Sequence, residues 1–514
     1  MLRLLILLVV LAHPSSDAAR SSEVPLGNKA EFNPSYWAED AREGIEARLK
    51  RRDGNRGVAR NVIIFLGDGM SIATLGAARA LLGQREGRTG EEAKLSFEQF
   101  PTVGLSKTYC VDAQIADSAC SATAYLCGVK TNDGTIGVTP AVRRTNCTDA
   151  VDAATHVRSI ASWAIEAGKD AGIVTTTRVT HASPAGTYAH TAERDWEHDA
   201  ELLEDCGGVA RDTLQKDIAY QLVHSAPGNQ LKVILGGGRR AFLPNTVIDE
   251  EGTSGRRADG RNLIEEWKAD KRSRNATHEY VWNRKQLMQL SLSPPDYLLG
   301  LFEASHMQYH MQADPTTEPT LAELTEIAIR SLSRNKNGFF LFVEGGRIDH
   351  AHHDNYARLA LDETIELSAA VTRATELLSE QDTLIVVTSD HAHVMGYNGY
   401  THRGTDILGI SDKQGDDNIP YTTLSYINGP GYRPHVNGER DDVSQYDIEQ
   451  AEFQFPSGVP LDSETHGGDD VGVFALGPHH DLFTGMYEQT QIPFLMAYAG
   501  CFGPGLHACD GAKR

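Results

Sequence analysis

The sequence predicts an α/β fold: a doubly wound, mostly parallel central sheet flanked by helices, with a small insertion. Three observations predict it. Short apolar runs rich in β-branched or aromatic residues recur without clear polar alternation, the pattern of strands buried on both faces. Segments of helical composition lie between those runs, so strands and helices alternate along the chain. One stretch, 399–435, turns rich in Gly, Asp, Tyr, Thr and Pro and reads as a separate small β insertion.

Taken in order, the chain opens on MLRLLILLVVLA, an apolar run too short to span a bilayer and followed by small residues. It reads as a signal peptide over 1–19. Residues 20–54 form an N-terminal arm; its 35–52 portion is helix-forming, with Trp37, Ala41, Ile45 and Leu49 near one face, for packing on the core or on a partner subunit. The main domain covers 55–398 and 436–509. Its strand-like runs are Val62 to Leu66, Ile173-Val174, Val233 to Leu235, Phe339 to Val343, Leu384 to Val387 and Val471 to Leu476, with helices expected over 72–82, 321–332 and 356–378. A short tail, 510–514, lacks the apolar stretch of a lipid-anchor signal, so a soluble extracellular protein with no transmembrane segment is expected.

Composition narrows the function. A chain of 514 residues can bury a large core, and its formal charge of −22 argues against a nucleic-acid-binding role. A small anionic substrate remains allowed, because cations held among carboxylates reverse the local field. Seven cysteines leave at least one unpaired. Cys501 and Cys509 close a short loop with Gly503, Pro504 and Gly505 and are expected to pair; Cys147 with Cys206 is a second pairing, and Cys110, Cys120 and Cys127 stay unassigned. Asn146 and Asn275 head glycosylation sequons.

Ligands of open α/β sheets bind beyond the carboxyl ends of the strands. Three strands end in acid-and-histidine clusters: Gly67-Asp68-Gly69, Glu344 through Asp349 to His353, and Asp390-His391-Ala392-His393. Each alone has a plain reading as a turn or a surface histidine pair. Together, at one sheet edge, they read as metal ligands. Zinc suits Asp349 and His353, four apart, with His466 as a further ligand; magnesium suits Asp68, Glu344 and a hydroxyl. Asp68 is placed to bridge two metals. Asp117 reads as a helix N-cap and Ser118 as a nucleophile whose oxygen a zinc ion activates. Arg178 and Arg194 are both candidates to clamp phosphate oxygens, and spacing does not choose between them.

These residues resemble the animal alkaline phosphatases over nearly the whole mature chain. The matching segments include Gly67 to Met70, Asp117-Ser118-Ala119, Ala122 to Lys130, His181 to His190, Val343 to His353, Asp390 to His393 and Thr465 to Gly468. The resemblance implies hydrolysis of phosphate monoesters through a phosphoserine at alkaline pH, two zinc ions and one magnesium ion per subunit, and a homodimer. It implies one zinc on Asp349, His353 and His466, and a second on Asp68, Asp390 and His391 beside Ser118. Magnesium falls to Asp68, Ser183 and Glu344, and the phosphate clamp to Arg194. His181 and His393 take supporting places, whereas His350 and His352 are structural. A calcium site maps to the Phe302 carbonyl, Glu303, Glu318 and an acid among 249–251, assigned to Glu251. The insertion resembles the family's crown and the arm its dimer contact. Two departures stand out: Cys120-Ser121 replaces the usual Gly-Thr, which puts an oxidisable thiol near the nucleophile, and Cys206 is offset from the usual partner of Cys147. The rival readings are a phosphodiesterase or sulfatase on a related fold, and a calcium-binding matrix protein without activity.

Overall fold

The computed structural model describes residues 56–207, 214–290 and 293–513. The signal peptide and the 35–52 helix expected from sequence lie outside the described residues. Among the described residues there are seventeen strands: β1 Asn61–Gly67, β2 Thr102–Lys107, β3 Asp170–Arg178, β4 Val233–Gly237, β5 His278–Val281, β6 Tyr297–Leu301, β7 Phe339–Gly345, β8 Thr383–Ser389, β9 Ala392–His393, β10 Met395–Tyr397, β11 Ile410–Gln414, β12 Pro420–Thr422, β13 Leu424–Gly429, β14 Ser457–Pro460, β15 His466–Gly467, β16 Val471–Leu476 and β17 Gly485–Glu488. Ten of them form one sheet in the order β17-β2-β16-β8-β1-β7-β3-β4-β6-β5. From β8 to β5 every pairing is parallel. β16, expected among the parallel strands, instead runs antiparallel to both β8 and β2. An all-apolar run carries no directional signal once both faces are covered, so its composition did not reveal the reversal.

The two sides of β1 show why the sheet is doubly wound. Ile63 and Phe65 join one apolar cluster with α1 (Ile72–Arg85), α3 (Leu321–Leu332) and α5 (Ala357–Leu377). Val62, Ile64 and Leu66 join another with α2 (Ser118–Cys127). Each such side chain contributes roughly 1.5–3 kcal/mol by leaving water. Helix starts are fixed locally: Ser71 accepts the N–H of Thr74 ahead of α1, and Thr320 with Glu323 forms a capping box at α3.

The 399–435 segment contains β11, β12 and β13. Its sheet is completed from outside those limits, by β10 antiparallel and β14 parallel to β13. Among the described residues, no helix is long and apolar enough to cross a membrane.

Candidate active site and metal centre

Because β8, β1 and β7 are neighbours and parallel, their carboxyl ends arrive side by side, with Gly67 level with both Gly345 and Ser389. Asp68 follows β1 and Asp390-His391 follow β8; Glu344 sits in β7, and α4 (Arg347–His353) carries Asp349 and His353. The short antiparallel pair β9–β15 sets His466 against His393. Gly69, at φ +66°, lets the chain turn under this cluster. A side chain there would lie 2.3 Å from the His393 ring.

Three groups of ligand atoms converge, each within 4.8 Å: Asp349, His353, His393 and His466; Asp68, Asp349 and His391; and Asp68, His181 and Glu344. In the first, the Nε2 atoms of His353 and His466 are 3.1 Å apart and each lies 3.4 Å from Asp349 Oδ1. Their Nδ1–H groups are committed elsewhere, to the carbonyls of Glu464 at 2.5 Å and Ala116 at 2.7 Å. That fixes the tautomer and leaves two Nε2 lone pairs and a carboxylate facing one point, an arrangement suited to zinc. In the second, His391 Nε2 lies 3.0 Å from Asp390 Oδ2, 3.6 Å from Asp68 Oδ1 and 3.1 Å from Ser118 Oγ. Asp68 Oδ2 and Glu344 Oε1 of the third group, and Ser183 Oγ as well, are buried with no hydrogen-bond partner. Unpaired buried oxygens of that kind are costly, and an oxygen-seeking cation would satisfy them together.

The electrostatics say the same. Burial, with Asp390 and Asp349 close by, pushes Asp68 well above the usual carboxylate range. Burial raises Glu344 to about 7 against the hydroxyls of Thr175 and Thr177. Burial alone would lower His393, but Glu464 and Asp349 outweigh it and raise it to about 10. Burial would raise Asp349 as well, yet His353 and His393 hold it well below its ordinary value. The centre carries more buried negative charge than its own side chains offset, so divalent cations fit it.

Ser118 begins α2. Its Oγ lies 3.1 Å from His391 Nε2 and donates to Asp68 Oδ1 at 3.4 Å. Asp117 caps the helix, accepting from the N–H groups of Ala119 at 3.1 Å and Cys120 at 3.0 Å. It also accepts from a guanidinium nitrogen of Arg194 at 3.0 Å, while the other terminal nitrogen lies 3.2 Å from His181 Nε2. Arg178 is instead spent on Glu197, with 2.8 Å bonds, and on His306. His352 bonds Thr74 and Tyr426 at 3.0 and 2.8 Å, a packing role. His350 stacks edge-on against His181 and His306.

Sequence reasoning missed three participants. Glu464, fully buried, bonds His393 Nδ1 and the N–H of Val394, and its N–H donates to the His353 carbonyl at 2.8 Å. Its place two residues before His466 was the available signal. Ser121 Oγ donates to Asp390 Oδ2 at 3.4 Å, and His306 braces His350; neither has a motif of its own.

The expected calcium ligands Glu303 and Glu318 interact: burial, with Glu303 and Glu251 nearby, raises Glu318 to about 8. Glu251 is ion-paired with the buried Arg239, which also holds Asp249 at 2.9 Å. Asn275 is exposed in a left-handed turn after its helix, and Asn146 is half-buried with its side-chain oxygen accepting from Thr148 and Asp149.

The cysteines need two corrections. Cys120 is not an open thiol but is bonded to Cys110. The end of β2 returns beside the first turn of α2, a tertiary fact invisible in spacing. Cys501 and Cys509 are adjacent free cysteines rather than a disulfide, with the Cys509 N–H donating to Cys501 Sγ at 3.0 Å. Cys147–Cys206 is bonded as expected, and Cys127 is a buried thiol raised to about 12 by burial.

A model of the alkaline phosphatases matches residues 59–502. The chain belongs to the alkaline phosphatase family. It is 58% identical over 504 residues to a membrane-bound alkaline phosphatase of Bombyx mori, covering 97% of this chain and 91% of that one. With the human tissue-nonspecific alkaline phosphatase it shares 46% identity over 489 residues, covering 94% and 91%. Its fold matches the solved alkaline phosphatase of Thermus thermophilus with a TM-score of 0.61 at 23% identity, over 90% and 96% of the two chains. An alkaline phosphatase from the Antarctic bacterium TAB5 gives 0.60 at 21% identity, over 87% and 99%. The phosphatase hydrolyses phosphate monoesters, and its family is metal-dependent.

Proposed function

We propose that hydrolysis proceeds through phosphorylated Ser118, with two zinc ions held by Asp349, His353 and His466 and by Asp68, Asp390 and His391, and a magnesium ion held by Asp68, Ser183 and Glu344. The observation that carries this is the placing of Ser118 Oγ between His391 and Asp68, at a helix N-terminus whose cap also holds Arg194. When bound, the metals supply charge that lowers the pKa of coordinated oxygens and offsets the negative charge of the transferring phosphoryl group. Ser118 Oγ attacks phosphorus and the alcohol leaves; water then releases phosphate from Ser118. Arg194 donates to two phosphate oxygens, kept in place by Asp117 and His181. His391 and Asp68 keep Ser118 Oγ aligned for attack. Metal ligation and phosphoryl transfer need deprotonated groups, so the optimum lies at alkaline pH.

Several finer features belong to the same reading. Glu303, Glu318, the Phe302 carbonyl and Glu251 are the calcium ligands, and Glu251 must exchange Arg239 for the ion. Asn146 and Asn275 carry glycans, and the protein works outside the cell as a homodimer embraced by its N-terminal arm, with 399–435 as its crown. Metal removal tests the catalytic core of the reading. EDTA should abolish turnover of p-nitrophenyl phosphate, and zinc plus magnesium should restore it, with bis-p-nitrophenyl phosphate and p-nitrophenyl sulfate turned over far more slowly. Faster diester or sulfate turnover would favour the related activities.

A further inference from the structure

The segment joining β2 to α2 is closed into a covalent ring by Cys110–Cys120, a bond spanning 10 residues. Three consecutive residues of that ring each hold a different part of the centre. The Ala116 carbonyl accepts the Nδ1–H of His466 at 2.7 Å. Asp117 accepts from Arg194 at 3.0 Å and from the N–H of Gly134 at 3.0 Å, besides capping α2. Ser118 carries the reacting oxygen.

The remainder of the ring is thinly packed. Val111 is 53% and Ile115 46% exposed, and Asp112 and Gln114 are exposed as well. Both cysteines are only 2% exposed, yet they pack with Ala116 and Ala113 in a small apolar cluster of their own, apart from the two clusters that flank the sheet. The ring is otherwise tied down by backbone and side-chain hydrogen bonds: Cys110 N–H to Ala113 at 3.1 Å, Val111 N–H to Thr131 at 2.9 Å and Asp133 N–H to Asp112 at 2.8 Å. The last of these is exposed, and exposed bonds open at little cost. A covalent closure restricts the segment without needing packed area.

We propose that the Cys110–Cys120 disulfide is a positioning element for catalysis, fixing Ala116, Asp117 and Ser118 relative to α2 so that His466, Arg194 and the serine oxygen converge. Displacements of about an ångström in such constellations cost on the order of 100-fold in rate, which makes rigidity here worth more than at an ordinary surface loop. The proposal rests on the roles given to Ser118, Arg194 and His466. Failure of those roles would show separately, as phosphoenzyme formation surviving Ser118→Ala and phosphate affinity surviving Arg194→Ala.

The test compares C110A/C120A with Ile327→Ala, a core substitution in α3 on the other face of the sheet, as a control for lost stability. Four quantities are read in the zinc- and magnesium-loaded enzymes: kcat/KM for a phosphate monoester, the inhibition constant for inorganic phosphate, the rate of zinc loss to a colorimetric chelator, and the melting temperature. The double variant should bind phosphate about 10-fold more weakly and release zinc about 10-fold faster, with kcat/KM down on the order of 100-fold. Ile327→Ala should lower only the melting temperature. Phosphate affinity and zinc release within about twofold of the parent in C110A/C120A, or the same changes in Ile327→Ala, would overturn the proposal. Should the double variant fail to fold, Cys110→Ser is read in the same way, and failure of both to fold would also overturn it by assigning the bond to the fold at large.

Discussion

Arg194 gives one guanidinium nitrogen to Asp117 and turns another towards His181, whereas Arg178 is absorbed by Glu197 and His306. Two arginines that the sequence could not separate are thus separated by their partners. Replacing Arg194 with Ala should reduce kcat/KM for a monoester by about 100- to 1,000-fold, the usual cost of a lost transition-state donor, and raise the inhibition constant for phosphate. Unchanged phosphate inhibition would remove Arg194 from the site. Glu464 acts one step further back, countering the charge of His393 and fixing His353 through its backbone. Glu464→Gln keeps the size and loses the charge, so zinc affinity measured in a metal buffer should fall about 10- to 100-fold. An unaltered affinity would reduce Glu464 to packing. The converging acids and histidines proposed as metal ligands were legible because they follow three recognisable strands. Glu464, Ser121 and His306 were not, because their importance lies in contacts across the fold.

At the level of elements, the strands flanked on both faces were readable as apolar runs, and α3 falls on its expected limits, Leu321–Leu332. β2, between the edge strand β17 and β16, alternates buried with more exposed positions, and β5 is a short edge strand, so neither makes a continuous apolar run. The reversal of β16 depends on chain connectivity rather than composition. α5 carries a testable charge cluster of its own: His310 Nδ1 donates to Asp362 at 2.8 Å, its Nε2 lies 3.4 Å from Glu366, and its N–H donates to Glu363 at 2.6 Å. Arg85 faces the same Asp362 at 2.7 Å. The hydrogen bond to Asp362, with Glu366 adding to it against the effect of burial, raises His310 from 6.5 to about 8. A group whose folded pKa is raised stabilises the fold fully below its unfolded value and loses that contribution as pH rises through the folded one. The stability difference between the parent and His310→Gln, read by urea unfolding, should therefore be largest below about pH 6.5 and shrink as pH passes about 8. A difference that grows with pH would contradict this pairing.

On the scale of the whole molecule, a sheet covered on both faces brings separate strand ends to one edge, and there the chain concentrates buried carboxylates and imidazoles that its own charges do not offset. The family and the general chemistry were legible from the ordered motifs, and relatives at 58% and 46% identity bear them out. The cysteine pairing was legible only in part, because it depends on which loops the packed sheet makes neighbours. The account stands most directly on Ser118 as the group that carries phosphate. Incubating the zinc- and magnesium-loaded enzyme with 32P-labelled phosphate at low pH, quenching in acid and mapping the labelled peptide should place one phosphate on Ser118 and none on the Ser118→Ala protein. A label that persists in Ser118→Ala, or maps to another residue, would contradict it.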